Sequence, residues 1–282
     1  MEKEIPDGGP TYQTMKNLII GSEGFVGTRL CLYLEALGEE VFKFDSKRGL
    51  NEDARYNSLP LSGIDRVYFL AWDVGGSKYL YEKNTQLNQI NDNCLLLSNV
   101  MRQIHQFGTP FVFVSTQLAE KSNMAYGVTK KLGELWTEAQ SGLCLRLWNV
   151  YGPVKEPGLR SHVIEDLVFQ AVKNKKINLL TNGEETRQFI HVDDVCRAFH
   201  LGLESGKKGL YDVSTYEWTK VKDVAEIIAN ITGSEIVVGN EKGVDFPTTT
   251  VGILPNWEHK ISLKDGIERL VRDVKSFYNL SL

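Results

Sequence analysis

The length, composition and charge of the chain already exclude several classes of protein. Its 282 residues, of which 42% are hydrophobic and 24% charged, are typical of a globular protein that forms one composite domain or two lobes. A net charge of −4 gives no electrostatic reason to expect a nucleic acid or an acidic membrane as a partner. No stretch is apolar enough for a transmembrane helix and the first 13 residues lack a secretory signal pattern, so the expected location is the cytoplasm.

The cysteines lack the paired spacing of a metal or redox site. No two of the four are arranged as Cys-x-x-Cys, and three of them lie within strand-like or helical patterns. We therefore expect reduced structural thiols and no metal site.

Short apolar runs alternate with helical patterns through the first half of the chain. The runs at 18–20, 41–44, 67–70, 111–114 and 143–147 are typical of buried strands. The longest helical pattern spans 86–105, with an apolar stripe formed by Leu87, Ile90, Cys94, Leu97, Met101 and Ile104. The polar span 45–65 is short enough to be a loop rather than a full helix. The alternation predicts an α/β fold of the Rossmann type, with a doubly wound parallel sheet.

A glycine-rich turn follows the first strand-like run. Gly21, Gly24 and Gly27 recur at three-residue spacing, and the helical pattern after them ends at Gly38. Glycines at such positions allow a tight turn and let backbone N–H groups approach a pyrophosphate at the positive end of a helix. This arrangement indicates a dinucleotide site.

An acidic residue at the end of the second run favours NAD over NADP. Asp45 follows the glycines by about 20 residues, where a carboxylate binds the adenosine ribose hydroxyls and repels a 2′-phosphate. Lys47 and Arg48 come directly after it and are able to accept that phosphate, so NADP stays open. The predicted NAD site comprises Gly21, Glu23, Gly24, Phe25, Val26, Gly27 and Asp45.

Three further residues predict proton transfer coupled to hydride transfer. Tyr126 and Lys130 are four apart in a helical segment, so both side chains lie on one face about one turn apart. An ammonium about 4 Å from a phenol is able to lower its pKa by up to about 3 units from the usual value near ~10. Thr116 ends an apolar run, where its hydroxyl reaches the carboxyl edge of the sheet and is able to share a substrate oxygen with the phenol.

Taken in order, these motifs resemble those of the extended short-chain dehydrogenase/reductases that modify nucleotide sugars. The resemblance runs from about residue 17 to 278 and includes the segments 69–71, 115–116, 146–153 and 187–194. It implies that Thr116, Tyr126 and Lys130 are catalytic, with Tyr126 and Lys130 also binding the cofactor. It further implies that the sugar lies near Asn149, the diphosphate binds Arg187, and the cofactor contacts Leu70, Ala71 and Asn91.

Within this family, three segments are similar to those of the GDP-fucose synthases, namely 74–76, 161–164 and 257–266. The similarity implies that Ser161 and His162 bind the substrate and that His162 is an acid or base. The cysteine that those enzymes use in epimerisation falls on Leu118, which cannot transfer a proton. The paired Asp and Glu of the 4,6-dehydratases are likewise replaced, by Gln117 and Leu118, so dehydration loses its acid and base.

These observations lead to one preferred function and two alternatives. The preferred one is NAD-dependent oxidoreduction at C4 of a nucleoside-diphosphate sugar, by a 4-epimerase or a 4-dehydrogenase. The alternatives are an NADPH-dependent 4-keto-sugar reductase or epimerase-reductase of the GDP-fucose-synthase type, and a non-catalytic NAD(P)-binding regulatory protein. A GDP-sugar is slightly favoured, although segment 245–250 offers no second arginine for the nucleotide, and a homodimer is expected.

The chain after residue 153 has a less regular pattern, with helical segments at 161–172, 221–232 and 267–278. We therefore expect residues 14–153 to form mainly the NAD-binding Rossmann domain. Residues 154–282 should form mainly a smaller nucleotide-sugar-binding lobe, with some segments returning to the first sheet.

Overall fold

A six-stranded parallel sheet organises the computed structural model, which describes residues 14–80, 82–121, 123–153, 161–244 and 249–279. Its strands are β1 (Lys16–Ile20), β2 (Glu40–Phe44), β3 (Arg66–Phe69), β4 (Phe111–Thr116), β5 (Leu143–Leu147) and β10 (Gly209–Val213). Their order in the sheet is β2-β1-β3-β4-β5-β10, so β2 is added on one side of β1 and β3 on the other. At such a point a parallel sheet leaves a crevice at the carboxyl ends of its strands. This sheet confirms the predicted α/β Rossmann-type fold.

Alternate residues of each strand enter two different cores, because neighbouring side chains of a strand point to opposite faces. Ile19 of β1 packs with helices α1 (Phe25–Ala36) and α6 (Val192–Glu204). Its neighbours Leu18 and Ile20 pack with α3 (Gln86–Phe107) on the other face. Helix α4 (Ala125–Ala139) lies beside α3 and contacts β4 and β5.

A separate apolar core holds the second half of the chain together. Helices α5 (Val163–Asn174), α7 (Val221–Thr232) and α8 (Leu263–Phe277) pack around it. Short strands border it in three pairs, β6 (Asn149–Tyr151) with β9 (Phe189–His191), β7 (Lys176–Asn178) with β12 (Glu235–Val237), and β8 (Thr186–Arg187) with β11 (Thr219–Lys220). The remaining helix is the single turn α2 (Ser77–Leu80).

Helix α3 differs from the predicted stripe at its amino-terminal end. Leu87 and Ile90 are 66% and 43% exposed, whereas Gln89 and Asn93 are buried. The polar side chains turn inward because they have partners there: Asn93 bonds the backbone of Asp73 and Gln89 donates to Thr85. The 45–65 segment, as expected, holds only short 3₁₀ turns, at Ser46–Arg48 and Leu50–Glu52.

Two further findings concern the described residues alone. None of their helices is long and apolar enough to cross a membrane. All four cysteines are free thiols, and three of them are buried. Residues 154–160, directly after the predicted domain boundary, lie outside the described residues. So do residues 245–248 of the segment 245–250.

Candidate active site

The glycine loop lies at the switch point of the sheet. Gly21 has φ +94°, and a side chain on it would bring Cβ within 2.5 Å of the backbone nitrogen of Ala71. A Cβ on Gly27 would collide with the carbonyl oxygen of Gly21. Helix α1 begins after Gly24 with no side chain capping its first backbone N–H groups. The loop therefore presents bare backbone at a helix amino terminus, as a pyrophosphate requires.

A cleft of about 580 Å³ opens beside this loop. Of the residues predicted to bind the cofactor, Gly21, Gly24, Phe25, Val26, Gly27, Asp45, Leu70 and Ala71 line the cleft. Glu23, Tyr126 and Lys130 do not.

Asp45 closes one end of the cleft. Its carboxylate accepts hydrogen bonds from the backbone N–H groups of Glu23, at 3.0 Å, and Lys47, at 2.9 Å. Lys47 Nζ donates to the carbonyl of Glu23, and the Arg48 guanidinium pairs with Glu23 and Glu52. Both basic side chains thus have acidic or carbonyl partners, although such exposed pairs are weak.

The cleft also contains residues that the sequence analysis missed. Asn91 is exposed, and the asparagine that lines the cleft is Asn93, whose amide oxygen accepts from the Asp73 backbone at 2.8 Å. Arg55 lies between two carboxylates, Asp53 at 2.7 Å and Asp92 at 2.9 Å. Asn91 and Asn93 both lie on α3, and only the packing of that helix shows which of the two faces the cleft.

The catalytic candidates Thr116 and Tyr126 lie together. Both side chains are buried, and the Thr116 hydroxyl lies close enough to the phenol to lower its pKa while donating to Gln117 Oε1 at 3.1 Å. Thr116 ends β4, and Tyr126 lies in the first turn of α4. The phenol packs in an apolar cluster with Tyr79, Leu118 and Met124, and the Tyr79 hydroxyl donates to the carboxylate of Asp73.

The structure changes the expected role of Lys130 toward the phenol. Its ammonium donates to the carbonyl of Val114 at 2.6 Å and lies 3.9 Å from the ring centroid of Trp72, which lines the cleft. Burial raises the pKa of Tyr126 to about 12, only partly offset by the nearby Thr116 hydroxyl. Burial lowers the pKa of Lys130 well below its ordinary value. The expected lowering of the phenol pKa is therefore wrong for this arrangement, because the lysine is engaged elsewhere and desolvation dominates.

A buried ion-pair network supports this pair of hydroxyls. Arg146 is fully buried in β5 and donates to both carboxylate oxygens of Glu134, at 2.6 and 2.7 Å. Ser115, next to Thr116, donates to the same carboxylate at 2.7 Å. Arg146 also reaches Glu120 in the turn that follows β4. The network joins β4, β5 and α4, the three elements that position the catalytic candidates.

The predicted substrate residues lie along the strands that follow β5. The amide of Asn149 donates to the carbonyl of Gln188 at 3.2 Å. Arg187 is half-buried in β8, and its guanidinium donates to the carbonyls of Thr186 and Val244, both at 2.7 Å. Ser161 is half-buried just before His162, which is exposed, precedes α5 and lines the cofactor cleft.

Comparison with known proteins shows the family. Residues 17–214 match the profile of the NAD dependent epimerase/dehydratase family. The chain is 27% identical to a putative UDP-glucose 4-epimerase of Methanocaldococcus jannaschii, over 54% of this chain and about half, 53%, of that protein. It is 23% identical to an uncharacterized UDP-glucose epimerase of Bacillus subtilis, over 94% of this chain and 99% of that one.

Among solved structures, a Thermotoga maritima UDP-glucose 4-epimerase with UDP-glucose has the same fold. The TM-score is 0.78 at 20% identity, covering 94% of this chain and 100% of that one. The family match confirms the predicted enzyme class and NAD as the cofactor. The chain belongs to the NAD dependent epimerase/dehydratase family.

Proposed function

We propose that this protein catalyses NAD-dependent oxidoreduction at C4 of a nucleoside-diphosphate sugar, as a 4-epimerase or a 4-dehydrogenase. The observation that carries the proposal is the close approach of the buried Thr116 and Tyr126 hydroxyl groups, with Lys130 one turn further along the helix against Trp72 of the NAD cleft. These two hydroxyls are able to bind one substrate oxygen between them. A non-catalytic protein has no need of that arrangement.

The residues present fit NAD. A side chain at Gly21 or Gly27 would collide with neighbouring backbone, so these glycines allow the tight turn that a pyrophosphate loop needs, and Asp45 supplies a carboxylate for the ribose hydroxyls. Bound NAD supplies a site that accepts a hydride from the sugar and is able to return it. Because Lys47 and Arg48 already have partners, we propose NAD rather than NADP.

Tyr126 moves the proton in this mechanism. With a pKa of about 12 the phenol is protonated at neutral pH, so it is ready to donate to the oxygen at C4 while Thr116 shares that oxygen. The reverse direction needs a cation beside the phenol. Lys130 meets that need if its ammonium turns from the carbonyl of Val114 toward Tyr126.

Leu118 limits the chemistry to C4. It is 5% exposed and packs against Tyr126, where an acid or base for carbon would have to lie. His162, which the sequence predicts as an acid or base for proton exchange at C3 or C5, lines the cleft. This keeps a fucose-synthase-like epimerase-reductase as the second candidate.

The diphosphate is proposed to bind Arg187. Arg187 lies in β8, which pairs with β11. Its hydrogen bonds to the carbonyls of Thr186 and Val244 fix the position of the guanidinium. UDP-glucose is the first sugar nucleotide to test, since the similar proteins named above are UDP-glucose epimerases. GDP-sugars, favoured by the sequence, come second, and a cytoplasmic location stays a prediction.

Replacement of one hydroxyl tests the proposal. Tyr126→Phe should lower turnover of the nucleotide sugar by about 10²- to 10⁴-fold because it removes the proton donor, while NAD affinity stays the same. Tyr33→Phe is the matched control, since Tyr33 lies in α1 and packs against His200. Unchanged turnover in Tyr126→Phe would refute the proposed acid-base role.

We also propose a homodimer formed through α3 and α4. Leu87, Ile90 and Leu95 of α3 and Leu132 and Leu135 of α4 are each 41–66% exposed, and the two helices pack side by side. Exposed leucines in such a row indicate a protein interface. Sedimentation velocity should show a dimer for the wild type and a monomer for Leu132→Glu. The control Leu180→Glu, at a 71% exposed site away from α3 and α4, should remain a dimer. A monomeric wild type would refute this.

A further inference from the structure

Two aromatic side chains donate to one buried carboxylate at the carboxyl edge of the sheet, and a third packs against one of them. Asp212 of β10 is fully buried and accepts from Trp148 Nε1 at 3.0 Å and from the Tyr216 hydroxyl at 2.7 Å. The backbone N–H of Val251 donates to the same carboxylate at 2.8 Å. Trp218 packs edge-on against Trp148, with the ring centroids 5.5 Å apart. The carboxylate therefore fixes the cluster.

The backbone of this cluster is strained. Tyr216 has φ +59°, in the left-handed region that a bulky side chain rarely adopts. Its hydrogen bond to Asp212 and its edge contact with Trp148 hold it there. Strain that is kept in this way points to a function for the loop that carries Trp218.

Trp218 is the exposed member of the cluster. It is 41% exposed, whereas the other four tryptophans, all within the described residues, are buried or half-buried. Trp148 behind it is 5% exposed. An indole that is held from behind and open in front is a rigid, low-entropy contact surface.

The position of Trp218 is set by two strand pairs. Thr116 is in register with Leu147, so Trp148 directly follows the partner of the catalytic candidate. Thr219, next to Trp218, is in register with Arg187. Trp218 is thus next to the register partner of Arg187 and packs on the residue that follows the register partner of Thr116.

We propose that Trp218, backed by Trp148, contacts the apolar face of the hexose in the substrate. In a nucleoside-diphosphate sugar the hexose is the part between the reacting C4 oxygen and the diphosphate, and its C–H groups are able to pack on an aromatic ring. Trp218 is then a residue that recognises the sugar rather than the nucleotide. The inference rests on the proposed function, which assigns Thr116 and Arg187 to the two ends of the substrate.

Paired titrations separate recognition of the sugar from recognition of the nucleotide. Binding of UDP and UDP-glucose, and of GDP and GDP-mannose, is measured calorimetrically with NAD present in wild type, Trp218→Ala and Trp218→Phe. Trp218→Ala should bind the nucleotide sugar about three- to tenfold more weakly, the usual effect of one aromatic contact, and the free diphosphate less than twofold more weakly. Trp218→Phe keeps a ring and should recover most of the affinity.

Phe107→Ala is the control, because Phe107 is a 55% exposed aromatic at the end of α3 and the opposite edge of the sheet. Equal weakening of sugar nucleotide and free diphosphate in Trp218→Ala would overturn the inference and indicate nucleobase stacking. Unchanged affinity for both would overturn it as well. A wild type that binds neither pair would refute the proposed function itself, and the inference with it.

Discussion

A buried glutamate should make the stability of the protein depend on pH. Glu165 lies in the first turn of α5 and is 1% exposed. Its Oε1 accepts from the backbone N–H of Gly152 at 3.1 Å, while Oε2 has no hydrogen-bond partner among the described residues. Burial raises the pKa of this carboxyl from 4.5 to about 8, and the neighbouring charge of Asp166 adds to the effect.

The sign follows from which state holds the proton. The folded protein keeps the Glu165 proton up to about pH 8, whereas the unfolded chain releases it near 4.5. The stabilisation from that proton is complete below pH 4.5 and is lost as pH rises to 8. It amounts to at most about 5 kcal/mol in the free energy of unfolding.

Glu165→Gln removes the titrating group and keeps an acceptor for Gly152. Urea unfolding followed by circular dichroism between pH 5 and pH 8.5 should show the variant gaining several kcal/mol relative to wild type as pH rises. Glu226→Gln, an exposed site on α7, should follow the wild type at every pH. A difference between wild type and Glu165→Gln that stays constant over this range would refute the reasoning.

Three further substitutions test the parts of the site. Gly27→Ala should abolish NAD binding in titration calorimetry because its Cβ meets the loop backbone, while Gly38→Ala, at the other end of α1 with open space around it, should leave affinity unchanged. Arg187→Ala should weaken nucleoside-diphosphate binding about ten- to a hundredfold, the loss of a charge-assisted contact, and unchanged binding would place the diphosphate elsewhere. Glu134→Ala should cost about 3–5 kcal/mol in urea unfolding because it removes the buried carboxylate partner of the Arg146 guanidinium and leaves it only Glu120, whereas Glu138→Ala, exposed on the same helix, should cost little.

The sheet and the glycine loop were predictable from local patterns. Each strand of the first half is built around a short apolar run, because a strand covered on both faces needs apolar side chains on both of them. Gly21, Gly27 and Asp45 follow from strand ends and spacing, which the fold maps directly onto its switch point. A return of later segments to the first sheet was expected, but the position of the strand at Gly209–Val213, which completes the sheet beside β5, was not predicted.

What sequence reasoning missed depends on the orientation of side chains and on burial. Asn93 rather than Asn91 lines the cleft because α3 turns its polar residues toward the loop after β3. The raised pKa of Tyr126 follows from its burial in a cluster that includes Tyr79, which is distant in sequence. Nothing in the sequence pattern singled out Trp218, since its position depends on the register between two strands of two residues each.

The central claim is chemistry confined to C4, and isotopic labelling tests it most directly. The wild-type enzyme with NAD is incubated with UDP-glucose in deuterium oxide, and the products are examined by NMR. The account predicts a product altered at C4 with no deuterium on carbon, because Thr116 and Tyr126 exchange protons with oxygen only. Deuterium at C3 or C5 would contradict the account and assign His162 the role of an acid or base.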